Sequence, residues 1–378
     1  MKKIGIVTPY KGYNFGTSLQ AYAVKKFVED LGYEPYVIEK TSSFSKGRDI
    51  TLRKCFTIFR RGLIRPNVLK KSLISYEKNF SSTLSEESKK KFIEFNKNLS
   101  VHKHSYTELK KIANKEEFAF FICGSDQIWN ATNLYLDPLY YLRFVPAAKR
   151  VAFAPSFGKE EIPKYNQKEI SKRISTFRRL SCREEKGIDL INEMTHRKAT
   201  LLLDPTLLVN EQVWKDFISD KKKSDYILLY FLDKPNPIAE KLIRKLELEG
   251  HRFKVLNYTY TNFPKLNTKL MQAGPKEFLE EIAKCRFVLT DSFHGTVFSI
   301  LFQKDFYVFN RMYGVAANQS TRVENVLSKF QLNGRLVTSD INELVSIEEN
   351  TFVQSKKILQ YERQKAKKYL LSVEKKDE

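Results

Sequence analysis

A histidine between a predicted strand and a predicted helix is the residue best placed for chemistry. His294 lies in Thr290-Asp291-Ser292-Phe293-His294-Gly295-Thr296, between an apolar strand pattern at 285–289 and an apolar helix pattern at 296–302. Open α/β sheets bind ligands at the carboxyl ends of their strands, and the next helix offers free N–H groups to an anion. His294 therefore occupies a position for chemistry, although histidines in apolar surroundings also serve as structural hydrogen-bonding groups. Asp291 is expected either to orient His294 or to cap the helix.

A second turn of this kind lies near the amino terminus. Asn14-Phe15-Gly16-Thr17 follows a predicted strand at 4–8 and opens a helix that we expect to begin near Thr17 and to end at Gly32. Gly16 allows close approach of the backbone, and Thr17 can cap the helix, so the turn can receive a phosphate or carboxylate. The alternative is a helix cap without a ligand.

The segment Gly124-Ser125-Asp126-Gln127-Ile128-Trp129-Asn130 offers polar side chains where a strand stops. Asp126 can take a proton from a sugar hydroxyl, Gln127 and Asn130 suit hydroxyl recognition, and Trp129 can stack on a pyranose ring. The alternative is that Asp126 or the preceding serine caps a helix while Trp129 fills the core.

Arg183 follows another predicted strand, in Leu180-Ser181-Cys182-Arg183-Glu184-Glu185. Its guanidinium can form a bidentate contact with a carboxylate or phosphate. A weak surface ion pair with a neighbouring glutamate is the alternative.

The order of these elements predicts an α/β protein with doubly wound parallel sheets. With 378 residues, of which 42% are hydrophobic, the chain can fill two cores. We expect an amino-terminal domain at 1–208, a carboxy-terminal domain at 209–350, and a helix within 351–378 that can return to the first domain. The predicted strands are short β-branched or aromatic runs at 4–8, 36–38, 118–123, 151–154, 179–182, 200–203, 226–231, 253–256, 287–289 and 306–309.

Composition restricts the partners. The formal net charge of +22 favours an anionic partner, namely nucleic acid, an acidic membrane face or a phosphorylated small molecule. The four cysteines are isolated and show no metal-ligand spacing, which indicates a reduced, cytoplasmic protein without structural zinc. No apolar run reaches the roughly 18 residues that a membrane span needs, so a soluble or peripheral protein is expected.

A basic insertion at about 41–75 interleaves cations with apolar residues. Such a segment can rest on an anionic membrane, where each cation contributes about 1 kcal/mol. The alternative is a solvated insertion whose aromatic residues pack on the domain, and no recognised nucleic-acid motif accompanies the charge. The cations are Lys46, Arg48, Arg53, Lys54, Arg60, Arg61, Arg65, Lys70 and Lys71, and the apolar residues are Phe56, Ile58, Phe59, Leu63, Ile64 and Leu69.

Together these motifs resemble the polysaccharide pyruvyl transferase family over residues 1 to about 330. The resemblance rests on six motifs in the family's order: Asn14-Phe15-Gly16-Thr17-Ser18-Leu19-Gln20-Ala21-Tyr22-Ala23, Gly124-Ser125-Asp126-Gln127-Ile128-Trp129-Asn130, Ala154-Pro155-Ser156-Phe157-Gly158, Ser181-Cys182-Arg183-Glu184, Leu203-Asp204-Pro205-Thr206 and Thr290-Asp291-Ser292-Phe293-His294-Gly295.

The resemblance implies two Rossmann-like domains that face each other across a cleft, in a GT-B-like arrangement with the acceptor on the amino-terminal side. It implies transfer of the pyruvyl skeleton of phosphoenolpyruvate to two hydroxyls of one sugar, as a cyclic ketal. The implied acceptors are cell-surface polysaccharide precursors, commonly on a polyprenyl diphosphate, reached from the cytoplasm or the inner face of the plasma membrane. The reaction needs an acid and a base, with phosphoenolpyruvate as co-substrate and no metal or other cofactor.

The resemblance also distributes roles. His294 is expected as acid or phosphate partner, Arg183 as anion clamp and Asp126 as base. Some family members have arginine two positions before the histidine, where this chain has Ser292, so either Arg311 or Arg322 supplies that charge or the donor binds differently. Further expected donor contacts are Gly295 and Thr296, and the expected acceptor contacts are Asn14, Gly16, Thr17, Gln20, Ser125, Gln127, Trp129 and Asn130. Two rival functions are a glycosyltransferase that uses a nucleotide sugar and a non-catalytic saccharide-binding protein.

Overall fold

Two parallel five-stranded sheets form the framework of the protein. The computed structural model describes residues 1–41, 50–67, 84–219, 222–256, 266, 270–312, 320–341 and 343–374. The strands are β1 (Lys3–Val7), β2 (Glu34–Lys40), β3 (His102–His104), β4 (Phe118–Cys123), β5 (Arg150–Ala152), β6 (Ser181–Cys182), β7 (Thr200–Leu201), β8 (Ile227–Tyr230), β9 (Phe253–Val255), β10 (Phe287–Thr290), β11 (Asp305–Phe309) and β12 (Leu336–Val337).

Helices connect these strands. They are α1 (Phe15–Asp30), α2 (Ile50–Ile64), α3 (Glu86–Asn96), α4 (Tyr106–Ala113), α5 (Lys164–Ile174), α6 (Glu185–Thr195), α7 (Pro205–Leu208), α8 (Gln212–Lys215), α9 (Pro237–Leu248), α10 (Pro275–Lys284), α11 (Phe293–Leu301), α12 (Ser320–Lys329) and α13 (Glu349–Leu371).

The sheet orders confirm the predicted α/β fold class with two Rossmann-like parallel sheets. The first sheet has the order β3-β2-β1-β4-β5 and the second β12-β11-β10-β8-β9, with parallel neighbours throughout. In each sheet the order reverses beside a central strand, and ligands of such sheets bind at that point, beyond the carboxyl ends of the strands. The small sheet β6-β7 approaches the first sheet through a bridge between Val151 and Arg179.

Helix α1 shows how the sequence sets one end of the cleft. Asn14 is its N-cap, and the side chain of Asn14 accepts a hydrogen bond from the Thr17 N–H at 3.1 Å. The helix thus begins two residues before the expected start. Gly32 follows its end with a φ of +82°, a conformation that favours glycine.

An aromatic seam joins the two domains. The ring of Phe15, in the first turn of α1, stacks on Phe278 of α10 with 4.8 Å between centroids and on Phe92 of α3 with 5.2 Å. Aromatic pairs at these distances add to the free energy gained by burial of the rings. The first turn of α1 is therefore held against the second domain.

The last helix runs from the second domain to the first. Near its middle, Glu362 pairs with Lys329 of α12 at 2.6 Å. One residue later the Nε of Arg363 donates to the carbonyl of Leu207 at 3.1 Å, and the Tyr369 hydroxyl donates to the carbonyl of Ala152 at 2.8 Å.

Candidate functional site

The amino-terminal turn of α1 lies directly against the imidazole of His294. A Cβ atom at Gly16 would be 1.9 Å from Nδ1 of His294 and 2.3 Å from its Cε1. Only glycine fits at this contact. The turn at Gly16 in the first domain leaves the space that the ring of His294, carried by α11, occupies. The His294 side chain is 10% exposed.

Arg183 is the charged centre of the site. Its side chain is 1% exposed and pairs with the carboxylate of Asp204. Its guanidinium also lies 3.4 Å from Oδ1 of Asp126 and 3.8 Å from Oε1 of Glu184. Burial alone would lower the pKa of Arg183, but the three carboxylates, Asp204 foremost, raise it above its ordinary value. Arg183 is therefore a fixed cation already surrounded by negative charge.

Asp204 connects Arg183 to His294. Its Oδ2 pairs with Arg183 and lies 3.9 Å from Nε2 of His294. Within the part of the chain that the structure describes, the buried Nε2 has no hydrogen-bond partner. Because Oδ1 accepts from the N–H and hydroxyl of Thr206, the carboxylate is locked in place. Asp204 thus holds the position beside His294 that the sequence suggested for Asp291.

Asp291 faces a different part of the second domain. Its carboxylate accepts from the N–H groups of Leu232 and Asp233 at 2.7 and 3.0 Å, and it lies 3.2 Å from Nε of Arg311. Burial raises the pKa of Asp291 in spite of Arg311. These contacts fix the loop after β8, and they engage one of the two arginines expected to replace the cation at Ser292.

Arg322 is the second of those arginines, and it lies on the site. Its guanidinium is 5.7 Å from the ring centroid of Phe293, and that of Arg183 is 5.0 Å from the same centroid. When the Gln127 amide is turned so that its oxygen faces Arg322, both terminal nitrogens of Arg322 donate to that oxygen at 2.9 Å. Burial, and then repulsion from Arg183, lowers the pKa of Arg322 to about 10. A buried cation, Arg183, and a half-buried cation, Arg322, therefore flank one ring, and the carboxylates described above lie beside Arg183.

Asp126 opens the site toward a cleft in the first domain. It has a φ of 65°, and its Oδ2 accepts a hydrogen bond from the Thr17 hydroxyl at 2.9 Å. Burial alone would raise the pKa of Asp126, but Arg183, then His294 and Arg322, and the Thr17 hydrogen bond hold it below its ordinary value. The carboxylate is therefore ionised at neutral pH. The adjoining cleft of about 250 Å³ is lined by Asp126, Gln127, Asn130, Tyr135, Tyr140 and neighbouring residues.

Other predicted acceptor contacts lie in the interior. Trp129 is fully buried and donates from Nε1 to the Tyr140 carbonyl at 3.2 Å, which is the core position given above as its alternative. Gln20 is buried, and its Nε2 bonds to the Thr8 hydroxyl at 2.9 Å. Ser125 is buried and donates to the Ala154 carbonyl at 2.8 Å. We infer that these three side chains support the walls of the site from the protein interior.

The remaining predicted contacts form local caps. Ser292 is the N-cap of α11 and accepts from the Gly295 N–H at 3.3 Å, while the Thr296 hydroxyl donates to the Ser292 carbonyl at 3.0 Å. Asn130 accepts from the N–H and hydroxyl of Thr132 at 3.0 and 2.7 Å. His294 itself lies in the first turn of α11, which Ser292 caps.

Sequence reasoning passed over Asp204 and Glu184. Asp204 stands in the motif Leu203-Asp204-Pro205-Thr206, which contributes to the family resemblance but has no expected role in the site. Glu184 was considered only as a surface partner of Arg183, but its carboxylate is buried and accepts from the Ser156 hydroxyl. The signal available in the sequence is position, because Glu184 and Asp204 come just after the predicted strands at 179–182 and 200–203.

The lowered pKa of His294 makes stability depend on pH. Burial is the main cause, only partly offset by Asp204 and Asp126. Because the folded pKa lies below the ordinary 6.5, the unfolded chain binds the proton more readily, and this contribution to stability is present above pH 6.5 and lost as pH falls below it. We expect denaturant titrations at pH 7.5 and pH 5.5, on the order of one unit either side of that value, to show a smaller loss for His294→Asn than for the unmodified protein.

His102 provides the control for this measurement, because burial also lowers the pKa of that histidine. The His102→Asn variant should keep the His294 contribution to the pH dependence. Equal losses in the unmodified protein and His294→Asn would show that His294 does not resist protonation.

A family model described as polysaccharide pyruvyl transferase matches residues 14–311. No curated protein matches the chain. Among solved structures, S. aureus MnaA with UDP is 13% identical with a TM-score of 0.47, covering 95% of this chain and 88% of that one.

Two further solved structures are similar. A UDP-GlcNAc 2-epimerase from Methanocaldococcus jannaschii is 11% identical with a TM-score of 0.44, covering 94% of this chain and 92% of that one. An alpha-glucosyltransferase in complex with UDP is 10% identical with a TM-score of 0.44, covering 98% and 95%. The family match includes the turn at Gly16, the carboxylates around Arg183, and His294, so the chain belongs to the polysaccharide pyruvyl transferase family.

Proposed function

We propose that this protein transfers the pyruvyl group of phosphoenolpyruvate to two hydroxyls of a saccharide, forming a cyclic ketal. The observation that carries the proposal is the pair of guanidiniums around the ring of Phe293, next to His294, of which Arg183 is buried and Arg322 is half-buried. A donor with a phosphate and a carboxylate needs such cations in a site from which water is largely excluded.

The residues suit the steps of this reaction. Protonation of the donor methylene carbon creates a cation at the adjacent carbon, which one sugar hydroxyl attacks after losing its proton. Phosphate then leaves, and the second hydroxyl closes the ring and loses its own proton. Asp126, ionised and open to the first-domain cleft, is the proposed base, and His294 is the proposed acid.

His294 needs the donor in order to act as an acid. Burial keeps the imidazole neutral in the unliganded protein. A phosphate next to the ring would favour the protonated form, because opposite charges at short range raise the pKa of a histidine. Donor binding would therefore let His294 take up from the solvent the proton that it passes to the donor in the first step.

Arg322 is the proposed replacement for the cation missing at Ser292. Arg311 is held by the carboxylate of Asp291, whereas Arg322 lies over Phe293 beside Arg183. Arg322 comes from α12, in the second domain, as expected for a donor-side residue.

A thermal-shift experiment tests the donor. We expect phosphoenolpyruvate at a hundred times its dissociation constant to add about 2.7 kcal/mol of stability, and phosphate, UDP and UDP-sugars to add less. The Arg322→Gln variant should lose this stabilisation. Arg286, an exposed arginine of the second domain, gives the matched control Arg286→Gln, which should keep it.

The contrary results are distinct. If UDP or a UDP-sugar stabilises the protein and phosphoenolpyruvate does no more than phosphate, the donor is a nucleotide sugar and the protein is a glycosyltransferase. If a saccharide binds but phosphoenolpyruvate releases no phosphate in its presence, the non-catalytic function replaces the proposed one.

A further inference from the structure

Helix α2 carries a strongly apolar, basic face on the surface of the first domain. Four large apolar side chains of this face are 63–68% exposed, and Arg60 is exposed among them. At 100° per residue all five lie on one side of the helix. We call this the α2 face, and its residues are Phe56, Phe59, Arg60, Leu63 and Ile64.

The opposite side of α2 contacts the rest of the first domain through hydrogen bonds and a cation–ring contact. Nη1 of Arg61 donates to the carbonyl of Leu134 and to Oδ1 of Asn166, both at 2.9 Å. Arg65, just after the helix, lies with its guanidinium 4.7 Å from the ring centroid of Tyr165. Gly62 is buried. The helix thus has a defined inner side, and the α2 face points outward from it.

Asn166, which accepts the hydrogen bond from Arg61, also contacts the loop that lines the cleft beside Asp126. Nδ2 of Asn166 donates to the carbonyls of Ala131 and Asn133 at 2.7 and 2.8 Å. Asn133 lines the cleft, and so does Leu136, two residues beyond the Arg61 contact. The α2 face and the cleft are therefore attached to one loop.

The charge of the segment selects the kind of partner. Residues 50–67 contain five arginines and lysines and no aspartate or glutamate. A second copy of the chain would bring Arg60 toward its own counterpart in a symmetric contact, and like charges there are unfavourable. Nucleic acid would gain stacking from the phenylalanines but nothing from Leu63 and Ile64. An anionic bilayer accommodates both classes of side chain, with aromatic and aliphatic groups at the acyl boundary and arginines at the headgroups.

We propose that the α2 face docks the protein on an anionic phospholipid bilayer. Phe56, Phe59 and Leu63 enter the interface, and Arg60 meets the phosphates of the lipid headgroups. In the part of the chain that the structure describes, no helix is long and apolar enough to cross a membrane, so this docking is peripheral. Residues 42–49 and 68–83 of the basic insertion, including Lys46, Arg48, Leu69, Lys70 and Lys71, lie outside the described residues and take no part in the argument.

Docking would place the cleft at the membrane surface. If the proposed function holds, a saccharide attached to a lipid reaches the cleft without leaving the bilayer, and this step alone rests on that function. The α2 face then raises the local concentration of a lipid-linked acceptor near Asp126.

Vesicle sedimentation of the full chain tests the docking. We expect binding to vesicles of phosphatidylglycerol mixed with phosphatidylcholine, weak binding to phosphatidylcholine alone, and a decline with added salt. Phe56→Ser with Phe59→Ser should lower the partition coefficient at least about tenfold. Arg60→Gln should lower it about fivefold.

A matched double variant controls for the loss of exposed apolar surface. Leu248 and Tyr361 are 90% and 67% exposed on other helices, so Leu248→Ser with Tyr361→Ser should keep vesicle binding. Equal partition of both double variants would overturn the proposal. Light scattering that shows a dimer broken by the Phe56/Phe59 variant would overturn it in favour of self-association, and retention on nucleic acid but not vesicles would do so in favour of nucleic acid.

The result of the vesicle experiment can be distinguished from the result of the test of phosphoenolpyruvate as donor. Thermal stabilisation by phosphoenolpyruvate should be the same in the Phe56/Phe59 variant and the unmodified protein, because the α2 face does not contact Arg183 or Arg322. Vesicle binding without phosphoenolpyruvate binding would support the docking surface and overturn the proposed donor.

Discussion

We expect Arg183→Met to lower the free energy of unfolding by about 3–5 kcal/mol. The methionine keeps much of the apolar volume but removes the cation from between Asp204, Asp126 and Glu184. Those carboxylates would stay close together in a site that is closed to most of the solvent, with mutual repulsion no longer balanced. Denaturant titration at neutral pH measures the loss.

The interpretation of this variant has an internal control. Asp204→Asn removes one of the carboxylates that Arg183 balances, so the double variant should be less destabilised than the sum of the two single variants. Strict additivity, or a loss below about 1 kcal/mol for Arg183→Met, would show that Arg183 behaves as a surface cation. Donor-binding measurements on Arg183 variants must be made well below their melting temperatures, since unfolding and lost donor contacts otherwise look alike.

His294→Asn should lower the rate of pyruvyl transfer by about 10²–10⁴-fold while leaving the protein folded. Asparagine keeps a short polar side chain at the amino-terminal turn of α11 but cannot carry a proton to the donor. Steady-state phosphate release from phosphoenolpyruvate in the presence of acceptor measures the rate. A full rate in this variant would remove His294 from the proposed mechanism.

The Gly16→Ala variant tests the role of the His294 imidazole without substituting the histidine itself. The new methyl group would lie 1.9 Å from Nδ1 of His294, so either the ring or the turn of α1 must move. We expect much of the loss seen for His294→Asn, because small displacements of a catalytic group are costly. Gly334 has open space around its Cβ direction, and Gly334→Ala should keep the rate. Equal rates for the two alanine variants would contradict the role of this contact.

Local patterns were sufficient for most of the fold. The buried runs at Phe118–Cys123 and Phe287–Thr290 are continuous and apolar, as central parallel strands require. Two edge strands were missed, His102–His104 and Leu336–Val337, because the first is His-Lys-His and the second has two residues. Edge strands are buried on fewer sides, so they leave a weaker apolar signal.

The site was harder to predict because its contacts join distant parts of the chain. The turn at Thr290–Thr296 and the arginine after β6 could be found from position alone, since strand ends are where ligands bind. That Asp204 rather than Asp291 lies beside His294 depends on how two domains meet, which spacing within either motif does not encode. The interior position of Trp129 follows from packing of the loop after β4, and residue type alone left that choice open.

Helix α13 contacts both domains, and this limits how the domains can be exchanged between related proteins in chimeras. Its middle pairs with α12 through Glu362, while the hydroxyl of Tyr369 donates to the carbonyl of Ala152 in the first domain. A chimera that exchanged the two domains at a single point near residue 208 would give the first domain a foreign last helix. Productive exchange therefore needs two crossovers, one after α7 and one before α13, so that the carboxy-terminal segment is inherited with the sheet on which it rests.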